Sequence, residues 1–287
     1  MLLRIEHVST YRYARPVKFG PHRLLVRPLE GHDIQIRESA LRIEPGATVR
    51  WIHDVFDNSV AIASFQNEAS ELRIESCVTA EQFNENPLDF ILEPFALEVP
   101  FQYPERELPV LAPYLSPQFP KSQSAVADWL RPFLKLNRHA KTLEFLMAVI
   151  RAMPMFFAYS RREEEGIQPP DETIRKRSGS CRDFAVLLME AARNLGLAAR
   201  FVSGYLCSAE SPAAEAASHS THAWAEIYLP GAGWKGFDPT CGIMAAQHHL
   251  RVAAVREPAE APPISGSYSG EQSVFLGMDV RVKAMVV

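Results

Sequence analysis

The sequence predicts an α+β protein in which an all-β, sandwich-like region precedes a core built from a helix packed on an antiparallel sheet. Three observations support this fold class: short strand-like segments fill residues 1–86, prolines crowd residues 87–120, and helical periodicity begins only after Lys121. We therefore divide the chain into a β-rich N-terminal domain (1–86), a Pro-rich connector (87–120) and a domain of helices followed by C-terminal strands (121–287).

The N-terminal domain contains five short segments that are rich in Val, Ile, Tyr and Phe and partly alternate apolar with polar residues. Turn residues such as Pro45-Gly46 separate them. Several short strands without a helical period are typical of an antiparallel sandwich or barrel. The segments are RIEHVSTYRY, HRLLVRPL, IQIRESALRIEP, SVAIASFQ and ELRIESCVTAEQF.

The connector carries eight prolines, at positions 87, 94, 100, 104, 109, 113, 117 and 120. Proline lacks a backbone donor and fixes φ, so we expect neither a helix nor a central strand here. Interspersed aromatic residues argue against a loose linker and predict an extended segment laid over the next domain. They are Phe90, Phe95, Phe101, Tyr103 and Tyr114.

After Lys121, the segments SQSAVADWLRPFLKL and HAKTLEFLMAVIRAM predict two amphipathic helices, and FFAYS predicts a short strand. A third helix, SGSCRDFAVLLMEAARNLG, precedes the strands AARFVSGYL, THAWAEIYL, GWKGFDP, HLRVAAV and SVFLGMDVRVKAMVV. The Ser/Ala/Glu stretch 208–220 is expected to be a mobile surface loop. It is either a lid or substrate-selecting rim, or a tolerated insertion.

Composition excludes several classes of protein. Of 287 residues, 47% are hydrophobic and 22% charged, as in a globular chain, and the net charge of -4 provides no basic field for nucleic acid or an anionic membrane. Four Cys without close pairs favour a reducing compartment over a disulfide scaffold. Because no signal peptide or membrane-spanning run is visible, we expect a cytoplasmic protein.

The third helix places a cysteine at its start. Ser180 is a suitable N-cap, Asp183 completes a near capping box, and Gly196 ends the helix. Cys181 therefore lies in the first turn, where free N–H groups and the helix dipole favour a thiolate. The alternative is that Cys181 is an inert buried residue, although its neighbours are polar.

A predicted hairpin, THAWAEIYLPGAGWKGFDP, brings a histidine and a carboxylate together. A turn centred on Gly231 and Ala232 places Asp238 beside His222 on the neighbouring strand. A carboxylate next to an imidazole fixes its tautomer and stabilises its charged form. The alternative is a buried structural His and a strand-end Asp before Pro239.

The runs SGSCRDFAVLLMEAARNLGLAARFVSGYL and HAWAEIYLPGAGWKGFDPT together resemble the core of the transglutaminase-like superfamily, over roughly residues 140–245. The shared pattern is a small-residue turn, a cysteine on a buried helix, an Ala-Arg strand, a His-Ala-Trp strand and a Gly-Trp…Asp-Pro-Thr strand. HVSTYRYARPV and HRLLVRPL resemble the β-rich N-terminal domain of bacterial transglutaminase-like proteins. In DPTCG, Cys241 stands where Asn is expected more often.

The resemblance implies a papain-like core with Cys181 as nucleophile, His222 as base and Asp238 as orienting acid. The Cys181 N–H would help to bind the oxyanion, and Tyr159 and Trp224 are candidate supporting residues. It implies a cysteine protease or amidase acting on peptide or isopeptide amides without a cofactor. The alternatives are a protein-glutamine transglutaminase, a deamidase, or an inactive binding module of the same fold.

A metal-binding site is the hypothesis that competes with the thiol enzyme. Cys181, Cys207, Cys241, His219 and His222 could be imagined around zinc, but no two of them have C-x2-C spacing. No calcium loop of the D-x-D-x-D-G type is present. The sequence therefore predicts no metal, and it leaves open whether the protein forms a homo-oligomer.

Overall fold

The computed structural model describes residues 1–134, 140–162, 166–207 and 221–287. The N-terminal region consists of antiparallel strands, as the sequence predicts, and they contribute to two sheets. One strand, β4, was not predicted, because most of its side chains are exposed and no clean alternation marks it. The strands are β1 (Leu2–Phe19), β2 (His22–Leu24), β3 (Ile34–Glu44), β4 (Ala47–His53), β5 (Ser59–Phe65) and β6 (Ala69–Gln82).

The last strands of the chain join these N-terminal sheets. They are β16 (Ile264–Ser265), β17 (Tyr268–Ser269) and β18 (Phe275–Val286). β18 runs antiparallel to β1 from Leu3↔Val286 to Tyr13↔Phe275, and β17 pairs with the end of β1. Strand β1 has β6 on one side, so its other edge needs a partner, which the C-terminal strands supply. The sheet orders are β17-β1-β6-β3, with β18 also on β1, and β16-β2-β5-β4.

The connector differs from its prediction because it contains a helix, α1 (Leu108–Leu115), besides the short strand β7 (Glu98–Val99). The two prolines of α1 are tolerated because Pro109 lies in the first turn, where no N–H is needed, and Pro113 interrupts a helix of only two turns. The connector also enters the main core. Tyr103 is buried there, and its hydroxyl donates to the carbonyl of Tyr228 at 2.8 Å and accepts the N–H of Ala198 at 2.9 Å.

In the described part of the chain, four further α-helices, α2 to α5, follow α1, and the short strands β8, β9 and β10 lie between them. The predicted helices are present, and a further helix that was not predicted, α4, begins at Pro170. β9 runs parallel to β10, and β8 pairs with β7. The elements are α2 (Gln123–Leu130), β8 (Ala140–Lys141), α3 (Thr142–Phe156), β9 (Ala158–Tyr159), α4 (Pro170–Lys176), β10 (Ser178–Gly179) and α5 (Cys181–Asn194).

Helix α5 packs on an antiparallel sheet of order β14-β13-β12-β11-β15. The alternate residues of β12, from Ala223 to Leu229, join Phe184 and Leu187 of the helix in one core. This is the predicted α+β core. The strands are β11 (Ala199–Leu206), β12 (His222–Leu229), β13 (Gly233–Asp238), β14 (Ile243–Met244) and β15 (His249–Val255). The predicted surface loop, residues 208–220, lies outside the described residues.

The C-terminal half of α5 is fixed by buried charges and by a glycine. Glu190 and Arg193 form an ion pair at 3.0 Å with no side-chain exposure, and Glu190 accepts the N–H groups of Gln118 and Phe119 from the connector. Gly196 has φ +76°, which closes the helix in a Schellman motif. These contacts hold the helix, and thus its first turn, in place on the sheet.

Among the residues that the structure describes, no helix combines the length and the apolar character that a membrane span requires.

Candidate active site

The first turn of α5 is stabilised by Asp183, which is fully buried. Its Oδ2 accepts the N–H and the hydroxyl of Ser180 at 2.8 and 2.9 Å, so the capping box is present. Its Oδ1 accepts Nη1 of Arg162 at 2.8 Å and the N–H of Gln168 at 2.7 Å. Four donors thus fix the turn in which Cys181, 8% exposed, is the first helical residue.

His222 begins β12 and Asp238 ends β13, and the two side chains meet without access to solvent. The register Ala225↔Phe237 places Asp238 diagonally across from His222. The Nε2 atom of His222 lies 2.8 Å from Oδ2 of Asp238. The Nδ1 atom is buried and has no hydrogen-bond partner among the described residues, so it is the nitrogen left for Cys181, whose thiol also interacts with this ring.

The charge of His222 is set by three opposing effects. Burial, the largest, disfavours the imidazolium, but the charge and hydrogen bond of Asp238 and the contact with Cys181 outweigh it. Together they raise the pKa of His222 to about 10. Burial also opposes ionisation of Asp238, yet His222 and His249 lower the pKa of that carboxyl well below its usual range. The pair is therefore imidazolium and carboxylate at neutral pH.

His249, at the start of β15, is a member of this network that the sequence analysis missed. Its Nε2 lies 3.0 Å from the same Oδ2 atom of Asp238 that bonds to His222. Burial, the largest effect, lowers the pKa of His249, so it is neutral. The sequence offers only a His at the start of a predicted strand. The neighbour of β15 is β11, so the placement depends on a strand order that sequence spacing does not give.

Tyr159 and Trp224, the candidate supporting residues, have different surroundings. Tyr159 pairs with Gly179, just before α5, and burial, followed by Cys181, raises the pKa of its hydroxyl to about 12. Trp224 is fully buried in a small cluster with Val202 and Ala254. Its ring centroid lies 6.1 Å from that of His222 and 5.2 Å from that of His249. Tyr159 therefore interacts with the Cys181 thiol, whereas Trp224 packs against the two histidines.

Of the residues considered for zinc, the structure gathers His222 and Cys241 with Asp238, and one potential ligand atom from each lies within 4.8 Å of the others. Both carboxylate oxygens of Asp238 already accept hydrogen bonds here. Oδ2 of Asp238 meets both histidines, and Oδ1 accepts the N–H groups of Thr240 at 2.8 Å and Cys241 at 3.3 Å. Cys207 lies instead in a hydrophobic cluster, and His219 lies outside the described residues.

Two family models match the chain. Residues 3–81 match the bacterial transglutaminase-like N-terminal region, and residues 135–239 match the transglutaminase-like superfamily. An uncharacterized protein of Mycobacterium tuberculosis is 34% identical over 119 residues, which are 39% of this chain and 38% of that protein. The uncharacterized protein YebA of Bacillus subtilis is 32% identical over 74 residues, 23% of this chain and 10% of YebA. The match thus spans less than two fifths of the length of either relative.

The fold itself has a solved counterpart. The crystal structure of a proposed cysteine protease from Cytophaga hutchinsonii superposes with a TM-score of 0.71 over 100% of this chain and 91% of the other, at 19% identity. A likeness at that identity concerns the fold. The family matches make residues 135–239 a core of the transglutaminase-like superfamily and residues 3–81 the N-terminal region of its bacterial members.

Proposed function

We propose that this protein is a thiol-dependent hydrolase or acyltransferase that acts on peptide or isopeptide amides, as a cysteine protease or amidase, through a thioester on Cys181. The observation that supports this proposal best is the buried His222–Asp238 pair, which faces the first turn of α5 with one ring nitrogen left for the thiol. A nucleophile, a proton carrier and an orienting carboxylate are the parts that acyl transfer needs.

The proposed reaction has two steps. The Cys181 thiolate forms a bond to the carbonyl carbon, the C–N bond breaks, and the leaving amine takes the proton of the His222 imidazolium. Water or a second amine then gives its proton to His222 while it attacks the thioester, and the thiolate leaves. The backbone N–H of Cys181 lies in the first turn of α5, where helix N–H groups lack an intrahelical acceptor, and we propose that it binds the oxyanion. Tyr159 is proposed as a second support near the thiol.

The acceptor separates this proposal from its alternatives. Water gives a protease, isopeptidase or deamidase, and an amine gives a transglutaminase. A test incubates the protein with a library of cytoplasmic peptides and traps the thioester by rapid acid quenching, and mass spectrometry then identifies the acyl group. The variant Cys181→Ala is the control, and a fluorescent primary amine added in parallel reports transamidation.

The proposal predicts an acyl adduct on Cys181 that is absent from Cys181→Ala and is released mainly as free acid. Release mainly as the fluorescent amide would instead assign a transglutaminase. A protein whose Cys181 reacts with small electrophiles but never accumulates an acyl adduct would be a binding module of this fold. A working thiol also agrees with the reducing, cytoplasmic location that we propose from the sequence.

A further inference from the structure

We propose that His249 is a positioning residue of this site, and that its Nε2–H holds Oδ2 of Asp238 in the orientation that His222 requires. The inference rests on the proposed function for its effect on turnover, but its structural part concerns only the hydrogen bonds of Asp238. Nε2 of His249 lies 3.0 Å from Oδ2, and Nε2 of His222 lies 2.8 Å from the same atom. One carboxylate oxygen therefore bonds to two imidazoles.

The direction of the bond from His249 follows from its other ring nitrogen. The backbone N–H of Ala246 donates to Nδ1 of His249 at 3.4 Å, so Nδ1 is an acceptor and the proton of the neutral ring is on Nε2. Asp238, His222 and His248 are the titratable groups whose charges act on this ring. A neutral N–H donor stabilises the carboxylate without bringing a second positive charge into the site.

The ring of His249 is itself held by close packing. Trp224 meets it edge to face, with an interplanar angle of 78°, and two glycines make room for Trp224. A Cβ on Gly204 would lie 2.2 Å from the carbonyl oxygen of Leu250 and 2.7 Å from the Trp224 ring. A Cβ on Gly236 would lie 3.1 Å from Nε1 of Trp224. Strands β11, β13 and β15 thus close around one indole ring, which fixes the position of His249.

The backbone near His249 is tied down as well. The pairing of β11 with β15 changes register at Ser203 and Gly204, and Nε2 of Gln82, the last residue of β6, donates to the carbonyl of His249 at 3.2 Å. The backbone of His249 is therefore held both by its strand pairing in the core sheet and by the hydrogen bond from Gln82 of the N-terminal sheet. A side chain that orients a reacting group from behind needs such a rigid setting.

The test compares His249→Gln, whose amide can still donate to Asp238, with His249→Leu, which cannot. In proton NMR, the unaltered protein should show a low-field signal for the His222 Nε2 proton that bonds to Asp238. We expect His249→Gln to keep this signal and His249→Leu to lose or broaden it, with thermal melting confirming that both variants are folded. On a substrate, kcat of His249→Leu should fall about 10–100-fold at unchanged KM, and His249→Gln should recover most of it.

Two results would overturn the proposal. In one, His249→Leu keeps the low-field signal and the turnover of the unaltered protein. In the other, both variants lose the low-field signal and the turnover to the same extent, which would assign His249 a packing role alone. If no amide substrate is turned over by any form, the proposed function fails, but the NMR comparison still decides whether His249 positions Asp238.

Discussion

Nε2 of His222 lies 2.8 Å from Oδ2 of Asp238, and neither side chain has any exposure to solvent. A buried imidazole would ordinarily be neutral at pH 7. Here the carboxylate and the Cys181 contact overcome the cost of burial and raise the pKa of His222 to about 10. The proton that the proposed reaction gives to the leaving amine is therefore present on the ring before a substrate binds.

This pKa predicts the alkaline limit of activity. Because His222 loses its proton only as the pH rises through about 10, kcat/KM should stay level from neutral pH to about 9 and then decrease. Alkylation of Cys181 by iodoacetamide should not decrease there, since it needs the thiolate and not the imidazolium. The two pH profiles, measured on the same preparation, check this. A decrease of kcat/KM that begins near pH 7 would contradict it.

The raised pKa of His222 also makes the stability of the folded protein depend on pH. A histidine whose pKa is raised on folding stabilises the folded state fully below its unfolded pKa of 6.5, and this contribution is lost as the pH rises through about 10. The denaturation midpoint of the wild type should therefore decrease between these values by more than that of His222→Gln, which has no such proton to lose.

Replacing Asp238 tests the orienting carboxylate. Asp238→Asn keeps an oxygen for the N–H groups of Thr240 and Cys241 but removes the charge, so the pKa of His222 should decrease toward its ordinary value. We expect kcat to fall about 10²–10⁴-fold, as when the acid of a triad is neutralised, with the alkaline limb moved to lower pH. Steady-state kinetics over pH give both numbers.

A neighbouring residue supplies the matched control for Asp238→Asn. The hydroxyl of Thr240 is buried and has no hydrogen-bond partner among the described residues, and only its backbone N–H contacts Asp238. Thr240→Val should therefore leave kcat and the pH profile nearly unchanged. An equal loss in Thr240→Val and Asp238→Asn would mean that the site responds to packing and not to the carboxylate.

Selective alkylation tests the nucleophile. Burial raises the pKa of Cys207 to about 12, and burial and Asp238 hold the pKa of the Cys241 thiol above its usual range. Iodoacetamide at pH 7–8 should therefore modify Cys181 first, as peptide mapping can show. Cys181→Ser should lose the fast phase, whereas Cys241→Ser should keep it. Faster modification of Cys77 or Cys207 would remove Cys181 from the proposed role.

The parts of the site that the sequence predicted depend on local signals. The N-cap, capping box and terminal glycine define α5 from within one segment, so the position of Cys181 at its start followed directly. The hairpin turn fixes the register of β12 and β13, so His222 and Asp238 could be placed side by side. Each inference needed only neighbouring residues and one turn. The catalytic roles of these three residues stay a prediction.

The parts that were missed depend on contacts between distant segments. His249 reaches Asp238 because β15 pairs with β11, and β18 completes the N-terminal sheet because one edge of β1 was unpaired. Nothing in the spacing of either segment encodes those neighbours. Helix α1 was missed for a different reason. The prolines of the connector predict that no helix forms there, although Pro109 lies where a helix tolerates it.

A buried ion pair supports the C-terminal half of α5. Glu190 and Arg193 are buried at 3.0 Å from each other, and Glu190 also accepts the N–H groups of Gln118 and Phe119. Glu190→Leu would leave the Arg193 charge unpaired in the core, which costs about 3–5 kcal/mol in the free energy of unfolding. Glu190→Gln keeps one accepting oxygen for these donors and should lose less than Glu190→Leu. Urea denaturation measures both.

Glu172→Ala provides the surface control, because Glu172 pairs with Lys176 at 2.6 Å and both side chains are partly exposed, where such a pair contributes about 0–1 kcal/mol. If Glu190→Leu does not fold, the free energy of unfolding still provides the test: it should decrease more in Glu190→Gln than in Glu172→Ala if the buried pair supports α5. Because the destabilised Glu190 variants unfold at lower urea concentrations, they should also expose the buried Cys207 to alkylation at lower urea. Equal midpoints for all variants would mean that the connector does not anchor the helix through this pair.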